Sequence, residues 1–258
     1  MSLPDLRPGP AQFWPATGSG PWCLFLDVDG TLLEFARTPD AVHVDDALRS
    51  LLLQVACALE GAVALVSGRA IAELDRLFAP QRWPAAGLHG LERRDARGGL
   101  YRHVPRRGQL DRARAKLLRV AARAPGVLLE DKGASIAVHY RAAPELESAF
   151  RRIADEVVED LAPGFHVLEG NRVFEIKPAV ATKAVAVRAF MQEAPFAGRR
   201  PVYVGDDVTD LDGFAAVDRV GGLSIAVGDR VVAQMQLASP RDVRALLANL
   251  AESRPRLP

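Results

Sequence analysis

The stretch Phe25-Leu26-Asp27-Val28-Asp29-Gly30-Thr31-Leu32 (FLDVDGTL) carries two carboxylates one residue apart, where the apolar run that begins at Trp22 meets a glycine. A short, continuously apolar run ending at such a turn reads as a parallel strand buried on both faces. In an open α/β sheet, ligands collect beyond the carboxyl ends of the strands, and Asp27 and Asp29 follow such an end. Side chains two apart on extended backbone point the same way, so both acids can face one pocket while Gly30 lets the chain turn sharply. Paired acids in that place predict chemistry. The competing reading is a helix cap or a surface turn.

The same pattern recurs outward from this stretch. Residues 62–66 (AVALV) and 202–204 within PVYVG are further short apolar runs that stop at polar or glycine-rich turns. Between the first two, residues 44–60 repeat Leu48, Leu51, Leu52, Val55 and Leu59 at helical spacing, with Asp45 and Asp46 in the first turn and Gly61 past the end. Strand, helix, strand within about 40 residues is a βαβ unit. Residues 71–78 and 183–193 predict two more helices, and 91–103, with Gly98-Gly99, a small hairpin.

The middle of the chain has a different rhythm. It predicts a basic amphipathic helix at 110–124, strands at 127–130 and 135–140, a helix at 144–161, and a hairpin of 165–168 with 172–176 about Gly170-Asn171. That order, αββαββ, folds as an antiparallel sheet with two helices on one face. The expected fold class is α/β, a Rossmann-like doubly wound parallel sheet formed by 1–106 and 179–258, with an inserted α+β domain at 107–178. Hinges are expected at 104–107 and 177–181.

A second acidic cluster, Gly205-Asp206-Asp207-Val208-Thr209-Asp210 (GDDVTD), follows the strand PVYV and brings three more acids to the same edge. Like charges ~4 Å apart repel by about 4 kcal/mol per pair at an effective dielectric near 20, so a cation is expected among them. An all-oxygen set without a histidine or cysteine cluster favours a hard ion, most simply Mg²⁺; the competing reading is a solvated acidic loop. Ser67-Gly68-Arg69, after AVALV, offers a hydroxyl and backbone N–H groups to an anion, or equally a helix N-cap at Ser67. Lys183, opening a helix, could neutralise a phosphate dianion or simply face solvent.

Asp27-Val28-Asp29-Gly30-Thr31, Ser67, Lys183 and Gly205-Asp206-Asp207, in this order at the ends of successive strands, resemble the four motifs of the haloacid dehalogenase superfamily of phosphohydrolases. The loop GDDVTD, residues 129–141 (LEDKGASIAVHYR), Gly87-Leu88-His89-Gly90 and 169–178 (EGNRVFEIKP) look like the trehalose-6-phosphate phosphatase family, as does an αββαββ cap between the second and third motifs. Leu211 and Ala184 depart from the family pattern, where glutamate and glycine are frequent.

The resemblance implies that Asp27 is a nucleophile forming an aspartyl phosphate, and that Asp29 protonates the leaving sugar oxygen and then activates water. It implies Asp27, the Asp29 backbone carbonyl and Asp206 as Mg²⁺ ligands, Asp207 and Asp210 around them, and Ser67, Gly68 and Lys183 on the phosphate. Glu130, Lys132, Arg141, Asn171 and Glu175 of the cap would reach the sugar, together with His89 and Gly90 of the core; His139 and Lys177 are expected to be structural. The alternatives are another sugar phosphate, such as a sucrose or mannosyl phosphate, or a phospho-accepting signalling module.

Composition bounds the partners. Nearly half of the 258 residues are hydrophobic and the formal net charge is +1, which argues against disorder and against a strongly basic nucleic-acid surface. No window approaches the ~20 apolar residues that span a bilayer, and residues 1–20 read as a loosely ordered arm rather than a signal peptide. Cys23 and Cys57 are expected to be buried thiols in a reducing compartment, with a single bridge left open. The expectation is a cytoplasmic enzyme of a small-molecule sugar phosphate, with no nucleic-acid or membrane partner. A monomer is the working assumption, the sequence being silent on oligomeric state.

Overall fold

The computed structural model describes residues 21–35, 42–103, 108, 110–161, 164–170, 172–180 and 182–252. The arm at 1–20, the expected hinge at 104–107 and Asn171 lie outside the described residues.

Strand β1 (Trp22–Leu26) is buried at all five positions, as its apolar run requires. It pairs in parallel with β2 (Val63–Val66) on one side and β10 (Arg200–Gly205) on the other. Helix α1 (Asp46–Ala58) joins β1 to β2; the Asp45 side chain accepts from Leu48 N at 2.7 Å and caps it. Beyond β2 follow α2 (Ile71–Leu77), β3 (Ala85–Gly87) and the antiparallel β4 (Glu92–Arg94) and β5 (Leu100–Arg102), which form the expected hairpin.

The inserted segment contains α3 (Asp111–Ala121), β6 (Leu128–Asp131), β7 (Ile136–His139), α4 (Glu147–Glu159), β8 (Phe165–Gly170) and β9 (Val173–Pro178). Its strands form a separate antiparallel sheet in the order β6-β7-β9-β8. Leu117 of α3, Phe150, Ala154 and Val157 of α4, and Ile136, Val138, Phe174 and Ile176 of the sheet make a core of their own. The chain then returns through α5 (Lys183–Phe190), β10, α6 (Leu211–Asp218), β11 (Leu223–Val227), β12 (Met235–Leu237) and α7 (Pro240–Glu252). The large sheet runs β12-β11-β10-β1-β2-β3-β4-β5, parallel from β12 to β3.

This is a doubly wound α/β sheet. Strand order reverses at β1 and β10, so the crevice beyond their carboxyl ends is where such a topology opens a site. α1 packs beside α7 and α5 beside α6.

Two expectations are corrected. Cys23 is buried but Cys57 is exposed, and both are free thiols; α1 buries Leu48, Leu52 and Val55, and a residue two beyond Val55 turns to the opposite face of the helix. The β8–β9 hairpin pairs Gly170 with Val173, so its loop is one residue later than Gly170-Asn171, with Arg172 at φ 62°. Among the described residues, no helix is long and apolar enough to cross a membrane.

Candidate active site

Alternation along β1 aims the first acid. The Phe25 ring stacks on Phe196 at 5.5 Å and leans on Phe190 of α5 at 5.9 Å, and Cys23 Sγ lies 3.5 Å from Met191 Sδ. Asp27, next in this series, therefore projects toward the start of α5. There Lys183 Nζ donates to Asp27 Oδ1 at 2.7 Å and to Asp210 Oδ1 at 2.6 Å, with all three residues buried. Lys183 is thus a buried bridge rather than a solvated charge.

Asp210 is what folds the loop after β10. Its Oδ1 also accepts from the Tyr203 hydroxyl at 2.8 Å, and its Oδ2 from the backbone N–H groups of Asp206 at 3.2 Å and Asp207 at 3.1 Å. Those bonds turn Asp206 toward Asp27. Asp206 Oδ1 accepts from Thr31 Oγ1 at 3.2 Å, whereas Oδ2 is buried without a hydrogen-bond partner; the Arg230 guanidinium lies 3.8 Å from it and forms an ion pair with Asp207 at 2.8 Å. Gly30, at φ 85°, lies so close that any side chain there would overlap the Asp206 carboxylate.

Charge in this cluster is unbalanced. Asp27, Asp206 and Asp210 offer oxygens within 4.8 Å of one another, against the Lys183 ammonium between Asp27 and Asp210 and the Arg230 guanidinium 3.8 Å from Asp206. Burial opposes the Lys183 charge, but Asp210 and Asp27 outweigh it and hold the ammonium above its usual range. Burial pushes Asp27 well above the usual carboxylate range; Lys183 pulls it back, and Asp210 and Asp206 add to the push. Asp210, with four donors, meets the lysine charge, which leaves Asp27 as the surplus acid. Asp206 is pushed up to about 7, first by burial and then by Asp210 and Asp207. The three aspartates could hold a metal ion.

Asp29 points into the same cleft but has a different partner. Arg69 Nε donates to Asp29 Oδ2 at 2.6 Å and Arg69 Nη2 to Oδ1 at 2.7 Å, a bidentate pair. Ser67 is buried, and its Oγ accepts from Arg69 N at 3.1 Å. It is not a helix cap, because α2 starts at Ile71 with Ala70 at its N-cap. The expectation of free N–H groups here is corrected for residues 69–71: Ser67, Glu73 and Glu92 already accept from them.

The inserted segment roofs the cleft. β6, β7 and β9 bring Glu130, His139 and Glu175 over the acids, with Lys132 and Arg141 beside them, around a cavity of about 250 Å³. Glu175 is buried and accepts from Ser135 Oγ at 2.6 Å and Lys132 Nζ at 3.4 Å, with His89 Nε2 at 3.4 Å. Burial opposes its charge, but Lys132, the His89 contact and Ser135 hold the carboxyl well below its usual range. Lys132 Nζ also reaches Gly68 O of the floor at 3.4 Å, and Lys177 Nζ donates to His89 O at 3.2 Å. The roof is closed on the floor.

A family model described as trehalose-phosphatase matches residues 25–245. The chain belongs to this family. It is 44% identical over 230 residues to a probable trehalose-phosphate phosphatase of Sinorhizobium fredii, covering 89% of this chain and 86% of that one. It is also 44% identical over 227 residues to the trehalose-6-phosphate phosphatase of Escherichia coli K12, covering 87% and 85%. Its fold matches the Candida albicans trehalose-6-phosphate phosphatase C-terminal domain at a TM-score of 0.79, with 21% identity over 90% of this chain and 92% of that chain. A haloacid dehalogenase-like hydrolase from B. subtilis, at 15% identity, has a TM-score of 0.61 over 87% and 98%.

Within this member of the trehalose-phosphatase family, Asp27, Asp29, Ser67, Gly68, Lys183, Asp206, Asp207, His89, Glu130, Lys132, Arg141 and Glu175 all line one cleft. Gly90 does not; at φ 98° it packs on the Thr182 carbonyl. Asp210 lies beneath the lining. His139, expected to be structural, lines the cleft with Nε2 2.8 Å from Glu130, whereas Lys177 is buried away from it. Leu211 is exposed at the start of α6 and Ala184 is buried in α5, so neither departure from the family pattern touches the cleft. Arg230 and Tyr203 are site residues that their neighbours in sequence do not announce, and the turn Ser67-Gly68-Arg69 does not announce that Arg69 pairs with Asp29.

Proposed function

We propose that this chain is a phosphoric monoester hydrolase that converts trehalose 6-phosphate to trehalose and phosphate. The observation that carries the reading is Asp27, buried at the sheet's switch point beside Lys183 and Asp206, directly beneath a polar roof. Residues 107–178 act as the cap, and 1–106 with 179–258 as the catalytic core.

A divalent cation fits the cluster on three counts: surplus buried acid, an all-oxygen donor set, and an Asp206 Oδ2 that is buried without a hydrogen-bond donor. Asp27, the Asp29 backbone carbonyl and Asp206 would hold Mg²⁺, with Asp207 and Asp210 fixing the loop. When bound, the ion supplies the positive charge that offsets bringing a carboxylate to a phosphate dianion, a repulsion of about 8 kcal/mol at 4 Å and an effective dielectric near 20.

The protein's own groups carry the steps. An Asp27 oxygen bonds to phosphorus as the bond to the sugar oxygen breaks, and Asp29 gives that oxygen a proton. Asp29 then takes a proton from the water that attacks phosphorus, releasing phosphate and restoring Asp27. Ser67, Gly68 and Lys183 hold phosphoryl oxygens. Glu130, Lys132, Arg141, Asn171 and Glu175 meet the sugar hydroxyls, which is what charged and amide groups do well against a polyol. A signalling module has no use for Asp29 or for a roof over its acceptor.

The monomer is kept as the working form, and two free thiols suit the cytoplasm. The test is phosphate release from trehalose 6-phosphate, sucrose 6-phosphate and glucose 6-phosphate, with and without EDTA. Trehalose 6-phosphate should be fastest and EDTA should abolish turnover. Equal or faster release from another sugar phosphate would reassign the substrate.

A further inference from the structure

Resting on that reading, we propose that Arg69 is a positioning residue that holds Asp29 at the cleft wall with both oxygens engaged and releases it to proton transfer when a phosphate monoester enters.

The geometry is specific. Nε and Nη2 of one guanidinium meet the two Asp29 oxygens at 2.6 and 2.7 Å, in the parallel fork that Arg forms best with a carboxylate or a phosphate. Both oxygens therefore act as acceptors. Protonating a leaving sugar oxygen requires the opposite, a carboxyl O–H that donates, so the pair as it stands is a resting arrangement, and the Asp29 carboxylate takes up a proton from solvent water once it leaves the guanidinium. Its side chains are 13% and 28% exposed, and both residues line the cleft, so an entering phosphate reaches the guanidinium. A phosphate dianion offers that fork the same geometry with more charge.

Arg69 is tied to the phosphate subsite by a second contact. Its backbone N–H occupies a lone pair of Ser67 Oγ at 3.1 Å, leaving the Ser67 O–H to donate elsewhere. One residue thus orients the hydroxyl on one side of the entering phosphate and the carboxylate on the other.

The experiment is a double-mutant cycle of Arg69→Gln and Asp29→Asn, with Arg69→Lys as the conservative variant. It reads kcat/KM, which covers the steps up to leaving-group departure, for trehalose 6-phosphate and for p-nitrophenyl phosphate. The nitrophenolate leaves without a proton, whereas the sugar alkoxide needs one. Arg69→Gln should cost trehalose 6-phosphate at least about tenfold more than p-nitrophenyl phosphate, Arg69→Lys should recover part of it, and the excess should vanish in the Asp29→Asn background. Equal losses on both substrates, or an excess that persists without Asp29, would overturn the proposal and leave Arg69 as a phosphate contact alone. If Arg69→Gln does not fold, Arg69→Lys and its Asp29→Asn partner carry the same comparison. Wild type inactive on trehalose 6-phosphate would instead overturn the substrate assignment; the cycle is then read on glucose 6-phosphate against p-nitrophenyl phosphate, and equal losses there overturn the Arg69 role.

Discussion

Lys183 is a single buried ammonium between two carboxylates, and removing it exposes what it holds together. Lys183→Met leaves Asp27 and Asp210 buried without their cation, a loss expected to cost about 3–5 kcal/mol, measurable by urea denaturation in EDTA, and turnover should fall below detection. Asp206 predicts a pH dependence of the metal-free protein. Its carboxyl sits at about 7 rather than its ordinary 3.8, with burial as the first cause. A raised folded-state value gives stability that is complete below about pH 4 and is lost as pH climbs to about 7. In EDTA the melting temperature should therefore drop between pH 5 and pH 8, and Mg²⁺ should raise it more at pH 8 than at pH 5. A metal-free melting temperature that stays flat or rises over that range would contradict the charge count at the site.

The elements work because short strands end in tight loops that set these side chains. Gly205 closes β10, and a side chain there would overlap the Asp210 carboxylate. Gly205→Ala is expected to push Asp210 off Lys183, Tyr203 and the two backbone N–H groups, lowering activity at least about tenfold with a loss of 1–3 kcal/mol; unchanged kcat and melting temperature would refute that role for Asp210. β1, β2 and β10 are legible in the sequence because each is an uninterrupted apolar run before a turn, and α1 because its leucines keep one face. β3 and β12 are three residues long and show no period, and β11 carries Ser224 inside its run. The β8–β9 loop is displaced by one residue because Arg172, not Gly170, takes the left-handed conformation. The acids were readable as acids. Their partners were not: Arg69 stands 40 residues from Asp29, and only the adjacency of β1 and β2 at their carboxyl ends brings them together.

At the scale of the whole molecule, two sheets share one cleft, the large one supplying the acids and the small one a charged roof that reaches the floor through Lys132 and Lys177. Lys132→Ala should raise KM for trehalose 6-phosphate about 10- to 100-fold, the value of a hydrogen bond to a charged group, while leaving p-nitrophenyl phosphate, which lacks the disaccharide, near wild type. Equal effects on both substrates would place Lys132 in holding the cap rather than in reading the sugar. The central claim is covalent: Asp27 bonds to phosphorus. The most direct measurement is borohydride trapping of an acid-quenched turnover mixture followed by peptide mass spectrometry. Reduction should convert position 27 to homoserine, dependent on substrate and absent in Asp27→Asn; a trapped product at another residue, or active Asp27→Asn, would contradict the account.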